Sequence, residues 1–182
     1  MVLIKEQIEV PRTLAEFIAW EQPEDGFKYE WNDGELIKFT GMNRKHLKLI
    51  HILNRLFLKT KAHELGGELI PENDVYLTGI QMRRPDLAFF SAEDIAKSDD
   101  EEPIPEFTIE VISGNDQINK VEEKIIEYYK AGVKVVWLIF PERKSVHVYT
   151  SRRNVKICIE NDICSAAPIL PEFEIGVDVL LG

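Results

Sequence analysis

Two carboxylates stand where a folded chain normally has none. Asp86 lies in "PDLAFF" (85–90) and Glu110 in "EFTIEVIS" (106–113), and both stretches are apolar enough to be core strands. Strand acids usually sit at edges, face solvent or pair with an arginine, so either one alone would mean little. Two that converge need something between them, because unit charges about 4 Å apart repel by about 4 kcal/mol at an effective dielectric of about 20. A proton or a cation removes that repulsion. Hard divalent ions such as Mg²⁺ take oxygen ligands, keep several waters and use one or two carboxylates, and Asp86 with Glu110 offers that donor set. A metal held this way polarises a phosphoryl oxygen and lowers the pKa of an attacking water. The same two acids could instead work as a general acid and base without metal, with activity that survives EDTA and depends on a raised carboxyl pKa.

The elements that must position these acids follow from local pattern. Thr13 is an N-cap for a helix carrying Leu14, Phe17 and Ile18 on one face. "FKYEWNDGELIKFT" reads as a hairpin around Asn32-Asp33-Gly34. A long amphipathic helix is expected from Asn43 to about Glu64, ended by Gly66-Gly67. "DVYLT" and "PDLAFF" are strands separated by a turn at Gly79, and "DDEEP" is an acidic loop. "FTIEVI" has the near-continuous apolar character of a central strand. After "SGND", with Asp116 as cap, the segment 117–132 is a helix closed by Gly132; "VKVVWLIF" and "SVHVYT" then pair as antiparallel strands. "VKICIE" and the terminal "FEIGVDVLL" add lesser strands. The order predicts a mixed sheet flanked by helices, in one domain spanning 1–182.

Composition bounds what such a domain does. The chain has 22 Lys and Arg against 32 Asp and Glu, a net charge of −10, so any phosphate contact must come from local patches. Candidates are the basic segment 44–48 and Arg83-Arg84, placed to hold flanking phosphates. Cys158 and Cys164 match no zinc or redox spacing and read as free thiols of a reducing compartment. With no long apolar run and no secretory pattern at Met1–Val10, the expected location is the cytoplasm, with no membrane association. Trp20, Trp31 and Trp137 are expected in the core or at its rim.

Glu110 and Ile112 share a strand face. Together with Pro85-Asp86, that pattern resembles the nuclease signature PD…(D/E)-x-K, with Ile112 in the lysine's place. The stretches "YEWNDGEL", "RPDLAFF", "EVIS" and "KIIEYYKAGVKVVWLIFPERKSVHVY" resemble the Uma-two family of restriction-endonuclease-like proteins, from about Leu14 to the last strand. Two departures are "SGND", where a proline commonly follows the serine, and Phe140, where an aspartate is usual. The resemblance implies a restriction-endonuclease-like α/β fold and an Mg²⁺- or Mn²⁺-dependent endonuclease acting on nucleic acid, namely DNA. It places the active-site and metal-binding acids at Asp86 and Glu110, the helix lysine at Lys124, the turn acid at Glu35 and the helix histidine at His46. Helix and strand rises also favour Lys124 over Lys120, since a helix folded back along the strand brings Lys124 level with Glu110. A homodimer is expected if both strands of a duplex are cut. A binding module that keeps this fold without chemistry is the alternative.

Overall fold

Turn chemistry places the first elements as the sequence predicts. In this computed structural model, which describes residues 10–40, 44–98, 100–114 and 116–182, the Thr13 hydroxyl accepts from Glu16 N–H at 3.1 Å and starts helix α1 (Leu14–Ala19). Strands β1 (Phe27–Asn32) and β2 (Glu35–Thr40) form the hairpin, with Asp33 and Gly34 at positive φ (42° and 89°) as a tight turn of this kind requires.

The chain continues through helices α2 (Arg44–Phe57) and α3 (Lys61–Glu64) and strands β3 (Glu68–Pro71), β4 (Val75–Thr78), β5 (Gln81–Arg83) and β6 (Leu87–Phe90). Helix α4 (Ala92–Ile95), strand β7 (Phe107–Val111), helix α5 (Ile118–Ala131) and strands β8 (Val135–Phe140), β9 (Ser145–Ser151) and β10 (Asn154–Ile159) follow. Strands β11 (Ile163–Ala166) and β12 (Leu170–Gly176) and helix α6 (Val177–Leu181) complete it. A six-stranded mixed sheet runs β10-β9-β8-β7-β6-β3, a four-stranded sheet runs β2-β1-β5-β4, and β11 pairs with β12. Within the large sheet β7 and β8 are parallel and α5 connects them, the arrangement that parallel pairing demands.

Both faces of that sheet are covered, so β7 is buried along its whole length. Phe107, Ile109 and Val111 pack with Leu53 and Phe57 of α2, and with Phe173. The opposite face, with Ala88, Phe90 and Leu138, packs against Val121, Ile125 and Tyr128 of α5. Among the described residues, no helix is long and apolar enough to cross a membrane.

Four local expectations change. The single helix from Asn43 (a residue outside those described) to Glu64 is two helices. Thr60 interrupts it, its hydroxyl donating to Phe57 O at 2.8 Å and accepting from His63 N–H at 3.3 Å to cap α3. The chain between "DVYLT" and "PDLAFF" contains a further strand, β5, and β4 and β6 belong to different sheets. Asp116 does not cap α5, because its carboxylate accepts from Ser113 N–H and Oγ–H at 2.6 and 2.9 Å, leaving Gln117 as N-cap; Asn115 of "SGND" lies outside the described residues. The terminal "VDVLL" is helical, burying Val177 and Leu180 three residues apart.

Candidate active site

Strand register brings the two acids together. Strand β6 runs antiparallel to β7 with Leu87 opposite Ile109 and Ala88 opposite Thr108, so Asp86, one residue before β6, falls opposite Glu110. Asp86 Oδ2 accepts the N–H of Val111 at 2.6 Å, which fixes that carboxylate at the end of the ladder. On β7 the period of two sends Glu110 toward α5 while Ile109 and Val111 face the other core.

Helix α5 supplies the cation. Lys124 and Tyr128, four residues apart on one face, both reach Glu110. The Lys124 ammonium lies 3.4 Å from each Glu110 oxygen, and the Tyr128 hydroxyl donates to Oε1 at 2.5 Å. Lys124 also donates to Glu30 Oε1 at 3.0 Å. Lys120, one turn earlier, pairs instead with Glu35 at 2.8 Å and Glu123 at 3.4 Å. Of the residues singled out in the sequence, Asp86, Glu110 and Lys124 therefore meet. Glu35 stands apart on the exposed hairpin, held to Lys120. His46 lines the same cleft of about 450 Å³ as Asp86, Glu110, Lys124 and Lys120, and burial lowers its pKa. The Lys45 side chain of the basic segment 44–48 lies outside those described.

Glu30 is the acid that sequence reasoning passed over. It sits in "YEW" on β1, is 1% exposed, and joins the half-buried Lys124 to a fully buried cation, Arg83. The signal is of the same kind as for Glu110, an acid flanked by two core residues, here Tyr29 and Trp31. Arg83 does not hold a phosphate. Its guanidinium is 1% exposed, with Nε and Nη2 on the two oxygens of Glu127 at 2.7 and 3.0 Å and Nη1 on Glu30 at 3.1 Å. Arg84 is tied to Asp74 at 2.5 Å. Arg83→Lys keeps the charge but loses the two-pronged grip on Glu127, and is expected to lower unfolding stability by about 2 kcal/mol in a denaturant titration; an unchanged midpoint would mean that the fork is dispensable.

Burial sets the electrostatics. It pushes Asp86 up to about 6, against the Val111 N–H and the Lys124 charge. Burial also pushes Glu110 up to about 7, opposed by Lys124 and reinforced by the charges of Asp86 and Glu30. For Glu30 burial acts in the same sense, but Lys124 and Arg83 outweigh it and its pKa is lowered. Burial disfavours the Lys124 ammonium, yet Glu110 and Glu30 raise it above the usual lysine range.

These directions carry a sign for stability. Folded pKa values above the ordinary 3.8 and 4.5 mean that the native state holds protons the unfolded chain has released. The two acids' contribution is fully present below those ordinary values and is lost as pH rises through about 6 and about 7. The metal-free melting temperature is therefore expected to fall between about pH 5 and about pH 8, and Asp86→Asn to flatten part of that fall. Differential scanning calorimetry in EDTA checks it, and a rising melting temperature across that window would contradict it.

The donor chemistry fits a hard divalent ion. Among the described residues no three His, Cys, Asp or Glu side chains gather closely enough to hold one without help. Two carboxylates completed by water suffice for Mg²⁺. Val111 N–H occupies Asp86 Oδ2 and Tyr128 occupies Glu110 Oε1, so Asp86 Oδ1 and Glu110 Oε2, the latter 3.4 Å from the Lys124 ammonium, are the hard oxygens a cation would use.

A family model described as "Putative restriction endonuclease", Uma2, matches residues 14–179. The fold matches the crystal structure of "a putative nuclease belonging to DUF820" from Anabaena variabilis ATCC 29413. That match has a TM-score of 0.81 and 21% identity, covering 94% of this chain and 98% of the other. No curated protein matches the chain.

Proposed function

The chain belongs to the Uma2 family, and from that membership we propose that it is an endonuclease, one domain that hydrolyses phosphodiester bonds of DNA with the help of Mg²⁺ or Mn²⁺. The observation that carries this reading is the meeting of Asp86, Glu110 and Lys124 in one cleft, with the Lys124 ammonium 3.4 Å from Glu110. Asp86 and Glu110 would hold the ion, which supplies Lewis-acid polarisation of a phosphoryl oxygen. Tyr128 and Val111 N–H fix the two carboxylates so that little reorganisation is needed on binding. Lys124 orients the attacking water and stabilises the negative charge that develops on the phosphate. Glu35 keeps the Lys120 ammonium over the cleft's rim, where flanking phosphate passes. The two free cysteines, both buried, suit a reducing compartment such as the cytoplasm.

Incubating the protein with supercoiled plasmid and with RNA, with Mg²⁺, Mn²⁺ or EDTA, tests the reading. Metal-dependent nicking of the plasmid is expected, with a log–log salt slope shallower than about −5 because few cations are available for phosphate. Cleavage that survives EDTA would instead assign the acids to metal-free acid–base work. Metal-indifferent binding without cleavage of either substrate would make the chain a binding module.

A further inference from the structure

Two residues of the hairpin line the cleft without serving the core. In the β1–β2 ladder Ile37 stands opposite Glu30 and Phe39 opposite Lys28, and directly opposed residues project from the same face. Glu30 is bonded to Lys124, and Lys28 is paired with Glu72, whose N–H donates to Asp86 O at 3.3 Å. Ile37 and Phe39 are thereby brought beside the acids, and Phe27, 41% exposed, lines the cleft with them. Among the described residues none of these three packs with the apolar clusters of the core, whereas Leu36, on the other face of β2, packs with the cluster of Phe17, Tyr29, Trp31 and Met82. The cations of the cleft, in contrast, are already engaged. Among the described residues, Lys38 is paired with Asp25 at 2.7 Å, Lys120 with Glu35, Lys124 with Glu30 and Glu110, Arg83 with Glu30 and Glu127, and Arg84 with Asp74.

We propose, resting on the nuclease reading above, that the cleft takes single-stranded DNA, with one base stacked on Phe39 and packed against Ile37 beside the acids. A duplex is held chiefly through its phosphates, and the described lysines and arginines of this cleft already have carboxylates. A single strand offers the faces of its bases instead, and stacking one of them on an aromatic ring is worth about five- to a hundredfold in affinity. In a duplex those faces are covered by the neighbouring base pairs and reach a side chain only when the nucleotide leaves the stack. An aromatic ring held outside the core and beside the acids therefore serves a strand that is unpaired. Negative supercoiling favours local opening of a duplex, so a supercoiled plasmid is still nicked where it opens.

Fluorescence anisotropy of a dye-labelled thymidine oligonucleotide, alone and annealed to its complement, decides it with the full chain in Ca²⁺ and in EDTA. The single strand is expected to bind at least about tenfold more tightly than the duplex. Phe39→Ala should weaken single-strand binding about tenfold and leave duplex binding and the melting temperature unchanged. Phe39→Trp should keep the affinity within about twofold, and its indole emission should be quenched as the strand binds, a readout that holds even if the alanine variant fails to fold. Equal or tighter binding of the duplex, no binding of the single strand, a folded Phe39→Ala that binds as wild type, or an indole emission indifferent to the strand would each overturn the proposal. Phe39-dependent binding of the single strand without cleavage would uphold it while the nuclease reading fails. Cleavage of relaxed duplex as fast as of single strand would keep the nuclease reading and reject this one.

Discussion

Asp86→Asn and Glu110→Gln are each expected to lower cleavage by about three orders of magnitude or more. Each should also remove calorimetrically detectable binding of Mg²⁺ or Mn²⁺. The amides keep the shape and an acceptor oxygen, so Val111 N–H and the Tyr128 hydroxyl retain their partners. What is lost is the negative charge that a hard cation requires. Without metal the same charge is a burden, because burial raises both acids toward neutrality. Metal-free Asp86→Asn should therefore melt at or above wild type near pH 8. Glu110→Gln should still fold, since Lys124 keeps its 3.0 Å bond to Glu30. Large losses of metal-free stability in both variants would show that the acids are structural partners, and the metal site would have to be abandoned.

Lys124→Ala is expected to lower cleavage by about two to three orders of magnitude while metal affinity is kept. It should also cost about 3 kcal/mol of metal-free stability, because the buried Glu30 and Glu110 would lose a cationic partner. Ile112 lies two residues from Glu110 on the same strand face and lines the same cleft, so Ile112→Lys added to Lys124→Ala should restore part of the rate. The contrast is Lys120→Ala. Its pairs with Glu35 and Glu123 are half-exposed, so stability should change by less than about 0.5 kcal/mol and cleavage by less than about twofold. Single-turnover rates beside metal titrations separate the two lysines. Equal, mild effects would remove Lys124 from the chemistry and leave the acids alone in the site.

How much of this was legible beforehand divides along the range of the interactions. The hairpin at Asp33-Gly34, the helix closed by Gly132 and the all-apolar central strand are local matters of turn chemistry, glycine conformation and period. So was the placement of Lys124, rather than Lys120, beside Glu110, because helix and strand rise are fixed numbers and the connection between the two elements is short. The sequence also marked Asp86 and Glu110 as anomalous, since an acid inside an apolar strand requires an explanation.

Only the tertiary structure decided that the two acids are opposite each other, because ladder register depends on which strands pair and with what offset. It also chose between acids that look alike in sequence. Glu30 is drawn inside by Lys124 and Arg83, while Glu35, five residues on, stays with Lys120 at the surface. Arg83 became a core residue for the same reason, its guanidinium enclosed by Glu30 and Glu127 from elements 53 and 44 residues away. Charge pairs of that separation leave no periodic trace in a sequence. Their partners are set by packing, and in the interior a lone charge is so costly that packing and pairing are settled together.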